Sequence, residues 1–186
     1  MGKVKFLPKL GFFLLVIVLS ILLSCNYGII HDTITYSISP EYYTKYKFIE
    51  FGLISEPMEN TVIKPFVLVI LTGIIATWWM GLLIGLILGT LNLIYFNSFK
   101  QNVIIYFRLV AILFITTTIA AFIGYFIGIY TFTGKEFYFH FTENILNKRD
   151  YHTVGMIHNL SYIGAVVGII LSLLKFRGLR KSISNF

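Results

Sequence analysis

The sequence predicts an all-α integral membrane protein, a four-transmembrane-helix bundle with a short interfacial amphipathic helix on its outer face. Three observations lead to this fold class. Of the 186 residues, 57% are hydrophobic and 12% are charged, which is about half the charged fraction of an average soluble domain. Four apolar runs are long enough to cross a bilayer. Basic residues gather at the ends of these runs, as they do on a cytoplasmic face. We therefore expect a single membrane domain, 1–186.

The four apolar runs set the order of the elements. A helix that rises 1.5 Å per residue needs about 20 apolar residues to cross the hydrocarbon core. The runs that meet this requirement lie at about residues 10–30, 62–88, 103–130 and 153–174. They leave two longer segments, 31–61 and 131–152, outside the predicted spans.

Basic residues predict the orientation of the chain. They precede the first run, follow the last run and occupy the short turn between the second and third: Lys3, Lys5, Lys9, Lys100, Arg108, Lys175, Arg177, Arg180 and Lys181. Because such residues stay on the cytoplasmic side, both termini are expected there, in a bacterial cytoplasmic membrane. All 8 acidic residues then fall on the outer side. The formal charge of +7 suits anionic lipid headgroups, so the expected partner is the lipid bilayer and not nucleic acid.

The segment after the first run is predicted to have two parts. Residues 33–39 alternate in polarity, a period of two that favours a short extended segment. "SPEYYTKYKFIEFG" then predicts a helix along the membrane surface, with Ser39 as its N-cap, Pro40 and Glu41 in its first turn and Gly52 as its stop. Its tyrosines are expected at the level of the lipid headgroups.

Small residues at every fourth position predict close packing of helices. They form ridges in three of the runs: Gly81, Gly85 and Gly89; Ala120, Gly124 and Gly128; Gly164, Gly168 and Ser172. A helix face without side chains lets a neighbouring helix approach closely. The ridges have two interpretations, packing within one bundle or self-assembly of several copies into a pore.

Polar side chains near the outer ends of the runs form the candidate ligand site. These residues are His31, Asp32, Glu41, His158, Asn159 and Tyr162. His158 lies deepest among the histidines, with Tyr162 one helical turn below it. Ionisable groups at such depth face the bundle or a water-filled cavity, so we expect these side chains to converge.

The chemistry of this cluster has several interpretations. A His–Asp pair can orient an imidazole for proton transfer or metal ligation, and His31 and His158 are the candidate metal ligands. Alternatively, His158 and Asn159 only fix helix packing through interhelical hydrogen bonds. HExxH, GxSxG and glycine-rich phosphate-loop motifs do not occur in the sequence. The sequence therefore identifies neither catalytic residues nor a cofactor.

Cys25 raises a separate question about the first run. "ILLSC" resembles the lipobox of bacterial lipoproteins, which would imply cleavage before Cys25 and lipid on its sulfur. The apolar run continues past Cys25 to Ile30, however, and signal segments are shorter than true spans. We therefore expect an uncleaved first span.

Three stretches carry a resemblance to known sequences: "HDTITYSISPEYYTKYKF" (31–48), "TWWMG" (77–81) and "HNLSYIGAVVG" (158–168). Together they resemble a group of small, uncharacterised bacterial four-span membrane proteins. The resemblance covers most of the chain and implies four spans with an outer aromatic segment. It implies no activity.

Three functional hypotheses follow, and the first is preferred. The protein is an accessory or ligand-binding membrane protein that uses the outer cluster, and it acts alone, as a homo-oligomer or with a partner membrane protein. In the second hypothesis it is a small transporter or channel, with glycine ridges along the path and His158 as a proton or metal site. In the third it is a membrane-embedded enzyme with His158 or His31 as general base.

Overall fold

The computed structural model describes residues 6–56, 65–95, 98–132 and 145–184. In this part of the chain the regular structure is helical: α1 (Phe6–Ile38), α2 (Pro40–Tyr42, Tyr43–Lys47 and Phe48–Glu50), α3 (Pro65–Tyr95), α4 (Phe99–Thr131) and α5 (Lys148–Ser184). Each of the four long helices contains an apolar stretch long enough to cross a membrane. The predicted all-α fold of a multi-pass, four-span membrane protein is therefore confirmed.

Helix α1 is longer than the apolar run that predicted it. It continues to Ile38, so the extended segment expected at 33–39 is wrong. Asp32, Thr35 and Ser39 are buried, and their spacing of three and four residues puts them on one helical face. The Thr35 hydroxyl donates to the carbonyl one turn earlier, at 2.9 Å, which satisfies it within the helix. The alternating polarity of residues 33–39 was misleading because the side chains that this segment buries are polar.

The long helices form two antiparallel pairs, α1 with α3 and α4 with α5. The contacts of glycines give the direction. Gly73 lies against Gly28, whereas Gly85, further along α3, lies against Ile17, which is earlier in α1. Each pair thus consists of two consecutive spans, and the end of the first span and the start of the second lie on the side of α2. We call this side the α2 end of the bundle.

The predicted glycine ridges lie at the interfaces within these pairs. Gly81, Gly85 and Gly89 face α1, Gly124 and Gly128 face α5, and Gly164 and Gly168 face α4. A Cβ atom added at Gly81 would lie 2.6 Å from the Ser20 carbonyl oxygen, closer than nonbonded atoms approach. These contacts agree with packing inside one chain and leave the ridges covered, whereas a pore built on them would need them at its lining.

Helix α2 begins as predicted but lies elsewhere. The Ser39 hydroxyl accepts a hydrogen bond from the backbone N–H of Tyr42 at 3.3 Å, and Gly52, with φ of 66°, follows its end. Tyr42 and Tyr43 are buried against the bundle, so the expectation that the tyrosines of α2 sit among lipid headgroups is wrong for these two. They pack on protein because α2 lies over the ends of the long helices.

Two apolar clusters fill the ends of the bundle. The cluster at the α2 end comprises Tyr42, Tyr43, Phe48, Leu68, Val69, Ile145, Tyr151 and Val154. The cluster toward the opposite end comprises Phe12, Val16, Leu88, Tyr106, Leu109, Val110, Leu113 and Phe176. Between the helix pairs lies a partly open cavity of about 100 Å³, which we call the central cavity.

Polar and aromatic side chains join the two helix pairs around this cavity. The hydroxyls of Ser20 in α1 and Tyr106 in α4 are 3.0 Å apart. The rings of Tyr27 in α1 and Phe114 in α4 meet edge to face, with centroids 5.6 Å apart. Nearer to the α2 end, α1 meets α5 through a pair of histidines. The junction between the pairs is thus the place where the candidate site forms.

Candidate functional site

Three of the predicted site residues meet at the α2 end of the central cavity. His31 and Asp32 come from α1 and His158 comes from α5, and one ligand atom from each lies within 4.8 Å of the others. The Nε2 atom of His31 and the Nδ1 atom of His158 are 3.3 Å apart. Asp32 is 2% exposed and His158 is 5% exposed. We call these three residues the histidine–aspartate cluster.

A hydrogen-bond relay runs from Thr35 through Tyr43 to His158. The Thr35 hydroxyl donates to the His31 carbonyl and is 2.6 Å from the Tyr43 hydroxyl, whose proton goes to Thr35 or to the neighbouring Asp32 carboxylate. The Tyr43 oxygen lies 3.3 Å from His158 Nε2. We therefore assign the ring proton of His158 to Nε2, which leaves a lone pair on Nδ1 facing His31.

The relay depends on a neutral Tyr43 hydroxyl. Burial raises the pKa of the Tyr43 phenol far above its ordinary value, and the charge of Asp32 raises it further. The phenol therefore keeps its proton at any physiological pH and remains both donor and acceptor. Tyr43 is completely buried, which holds this geometry in place.

The carboxylate of Asp32 is the least satisfied polar group of the cluster. Its Oδ2 atom is buried and has no hydrogen-bond partner within the described residues. A buried polar atom without a partner costs about 1–3 kcal/mol, and more when it is charged. Since Asp32 also lines the central cavity, this oxygen marks a position where a ligand would gain an interaction.

Tyrosine rings cover the histidines. The Tyr42 ring lies parallel to the His158 ring, with centroids 5.3 Å apart and an interplanar angle of 11°. The Tyr27 ring stacks on His31, with centroids 5.6 Å apart and an angle of 23°. These contacts limit rotation of both imidazoles. The Tyr42 ring covers the cluster on the side of α2, whereas Tyr27 lines the central cavity. The cluster remains in contact with the central cavity, which His31 and His158 both line.

The rest of the cavity lining is mostly apolar. Its lining residues include Ala76 of α3, Ala165 of α5 and Val110 and Leu113 of α4. Tyr162 also lines the cavity and is 36% exposed, in agreement with its place in the predicted site. The cavity thus has one ionisable end and an apolar body.

One buried cation belongs to the surroundings of the cluster. Lys47 of α2 is 4% exposed, pairs with Glu50 at 3.5 Å and lies over the Phe51 ring at 4.9 Å. Its charge acts on both His31 and Asp32. The negative charge of Asp32 is therefore partly balanced, with Glu50 in turn compensating the ammonium group.

Two predicted site residues lie outside both the cluster and the cavity lining. Asn159 is exposed, on the side of α5 away from the cavity, because it is one position past His158 and a helix turns about 100° per residue. Glu41 instead binds the chain before α5: its carboxylate accepts from the backbone N–H groups of Leu146 and Asn147 at 2.9–3.1 Å. It thereby fixes α2, with Tyr42 and Tyr43, above His158.

Replacing Glu41 with Gln should lower the free energy of unfolding by about 1 kcal/mol at pH 7, because charge-assisted hydrogen bonds are lost. Burial raises the pKa of Glu41, but the N–H groups of Asn147 and Leu146 and the ammonium of Lys45 outweigh it and leave the pKa below its usual value. The stability that this carboxylate contributes is thus present above its ordinary pKa and lost as the pH falls through its lower folded value.

Unfolding of both proteins in detergent, followed against pH, tests this expectation. The difference between wild type and Glu41→Gln should shrink as the solution is acidified below pH 4.5, the ordinary pKa of the group. Glu56→Gln, the same change at an exposed position, is the control and should have little effect. A difference that stays constant down to strongly acidic pH would contradict the assigned role.

Sequence reasoning did not find Thr35, Tyr43 and Lys47. Thr35 carried a signal, since it is three residues after Asp32 and four after His31 on the same helical face. Nothing in the sequence pattern indicated that Tyr43 and Lys47 lie beside the cluster. The turn at Ser39 and the π-helical geometry of Tyr43–Lys47 place them, and π-helical turns are frequent at functional sites.

Comparison with known proteins leaves the site to be interpreted from its own chemistry. No protein-family model, curated protein sequence or solved structure matches this chain. The resemblance of 31–48 and the two other stretches to a group of small bacterial membrane proteins therefore stays a prediction. The chemistry of the histidine–aspartate cluster and the central cavity carries the functional argument.

Proposed function

We propose that this protein is a ligand-binding membrane protein that holds a small amphiphile in the central cavity, with the polar group of the ligand at the histidine–aspartate cluster. One observation carries the proposal. The cavity is apolar along its body and has at one end a buried carboxylate oxygen, Asp32 Oδ2, without a partner among the described side chains. An apolar pocket with a few convergent polar groups is the usual form of a small-molecule site.

The size of the cavity limits what it holds. A volume of about 100 Å³ is somewhat smaller than that of a cavity of roughly 150 Å³ that binds benzene. It accommodates a polar group with a short apolar segment. The apolar cluster around Val110 and Leu113 lies between the cavity and the opposite end of the bundle, which favours binding over conduction.

The cluster faces outward in this proposal. The distribution of basic residues predicts both termini on the cytoplasmic side of a bacterial inner membrane. The α2 end, which carries Glu41, Glu50 and Glu56, then lies at the outer surface. The ligand would enter from the outer leaflet, because the cavity reaches the histidine–aspartate cluster at this end.

Filling the cavity tests the proposal. Ala165 is buried and lines the cavity, so Ala165→Leu should displace the ligand while leaving the fold intact or about 0.5–1 kcal/mol more stable, as cavity-filling changes commonly do. Native mass spectrometry of protein released from nanodiscs should show a retained amphiphile on wild type and none on Ala165→Leu. Extraction and mass analysis would identify the bound molecule.

Ala111→Leu is the matched control for this experiment. Ala111 is exposed on α4, so the same added atoms point into lipid and the amphiphile should be retained. Retention by Ala165→Leu at the wild-type level, or absence of any bound molecule from wild type, would contradict the proposal.

A further inference from the structure

The separation of the two histidine nitrogens carries a more specific inference. His31 Nε2 and His158 Nδ1 lie 3.3 Å apart, and one ligand atom from each of His31, Asp32 and His158 lies within 4.8 Å of the other two. In a tetrahedral site with Zn–N distances of about 2.0–2.1 Å, two nitrogen ligands are separated by about 3.3–3.4 Å. The imidazoles are thus spaced as two ligands of one ion would be.

The orientation of His158 agrees with a role as a ligand. A histidine that binds a metal donates the N–H of its other nitrogen to a fixed acceptor, which sets the tautomer and the direction of the ring. His158 does this through Nε2, whose acceptor is the Tyr43 hydroxyl. Tyr43 is held in turn by Thr35, so the lone pair of Nδ1 is aimed at the cluster before any ion arrives.

We propose that His31 Nε2, His158 Nδ1 and the carboxylate of Asp32 bind one divalent transition-metal ion. This inference rests on the proposed function, because it uses the polar end of the same cavity and names what lies there. In the metal-free form the proton on His31 Nε2 points to His158 Nδ1. The ion takes the place of that proton, and the His31 imidazole then carries its proton on Nδ1.

The ligand set determines the class of ion. Two imidazoles and one carboxylate suit Zn²⁺, and the same set with open positions binds Fe²⁺ in other proteins. The carboxylate oxygen of Asp32 that has no partner among the described residues gains one in the complex. Three protein ligands leave a coordination position, and the central cavity adjoins the cluster, so that position is available to the polar group of the amphiphile.

The ion would also join the two helix pairs. His31 and Asp32 belong to α1, and His158 belongs to α5, so coordination links one pair to the other across their sparse junction. An ion that binds only the folded arrangement stabilises it in proportion to its concentration. Metal binding should therefore raise the unfolding temperature as well as fill the site.

The experiment uses full-length protein in nanodiscs, stripped by a chelator and titrated separately with Zn²⁺ and, under anaerobic conditions, Fe²⁺. Elemental analysis should give one ion per chain for the preferred metal, and the unfolding temperature should rise with its concentration. Asp32→Asn, which keeps the shape of the side chain, and His158→Gln should weaken binding by more than about 100-fold and remove the thermal shift. Co²⁺ in place of Zn²⁺ should give the visible absorption of a tetrahedral site.

Two controls make the result specific. His152→Gln changes another buried histidine of α5 that is outside the cluster, and it should bind metal as wild type does. Ala165→Leu should lose the amphiphile and keep the metal. Sub-stoichiometric metal on wild type, or equal affinity in Asp32→Asn, would overturn the metal site; if the amphiphile is still retained, the proposed function stands without an ion.

Discussion

Replacing Gly73 with alanine should force α1 away from α3 and lower the free energy of unfolding by about 2 kcal/mol, in the range expected for overpacking. A Cβ atom at Gly73 would lie 2.7 Å from the carbonyl carbon of Gly28 and 2.7 Å from the backbone nitrogen of Ile29. These are backbone atoms of a helix, which cannot rotate aside as the end of a side chain can. Only a shift of one helix relieves the contact.

Unfolding by denaturing detergent, followed by tryptophan fluorescence, measures the effect. The matched control is Gly11→Ala in α1, the partner helix of α3, where an added Cβ meets no described atom within 4 Å. It should be neutral or slightly stabilising, since alanine is a better helix former than glycine. If Gly73→Ala were as stable as Gly11→Ala, the close approach of α1 and α3 would be wrong.

The same substitution should disturb the candidate site. His31 is one helical turn beyond Gly28, so a displacement of α1 at Gly28 also moves His31 relative to His158 in the other pair. Metal affinity should therefore fall in Gly73→Ala although the altered residue does not line the cavity. The packing contact between α1 and α3 would thus influence the metal affinity of the histidine–aspartate cluster.

Much of the fold was predictable from the sequence because the membrane imposes it. Apolar runs of sufficient length must form helices, since backbone groups have no other partners in lipid. The ends of the helices were less predictable, as in α1, where residues 33–39 bury their polar face. The pairing glycines Gly28 and Gly73 were also overlooked, although Gly28 follows Ser20 and Ser24 at every fourth position and Gly73 continues the register of Gly81.

The site was predictable in part for a related reason. His31, Asp32 and His158 stand out in the sequence because ionisable residues are costly within a membrane and lie where they have partners. Their depth suggested convergence, and the structure brings them together. Asn159 lies outside the cluster because it is one position past His158 on the helix. The Glu41 carboxylate accepts hydrogen bonds from the backbone of the chain before α5. Spacing alone does not reveal such long-range backbone partners.

Replacing Tyr43 with phenylalanine should weaken metal binding by about 10–100-fold, the usual cost of losing the hydrogen bond that orients a metal-binding histidine. The change keeps the buried ring and removes the hydroxyl that accepts from His158 Nε2. The ring proton of His158 is then left without its acceptor, at a cost of about 1–3 kcal/mol in stability. It is also free to move to Nδ1, where it blocks the ligand atom.

Tyr42→Phe separates orientation from simple packing. The Tyr42 ring stacks on His158, but its hydroxyl is not part of the relay, so this variant should keep wild-type metal affinity. Nitrogen NMR of the His158 imidazole gives the deciding measurement: metal-free wild type should show the proton on Nε2, and Tyr43→Phe should show a mixture of tautomers. If Tyr43→Phe lost stability but kept both the tautomer and the affinity, Tyr43 would only fill space above His158. A change in the tautomer together with the affinity would assign it the positioning of the ligand atom, because packing alone does not select which nitrogen carries a proton.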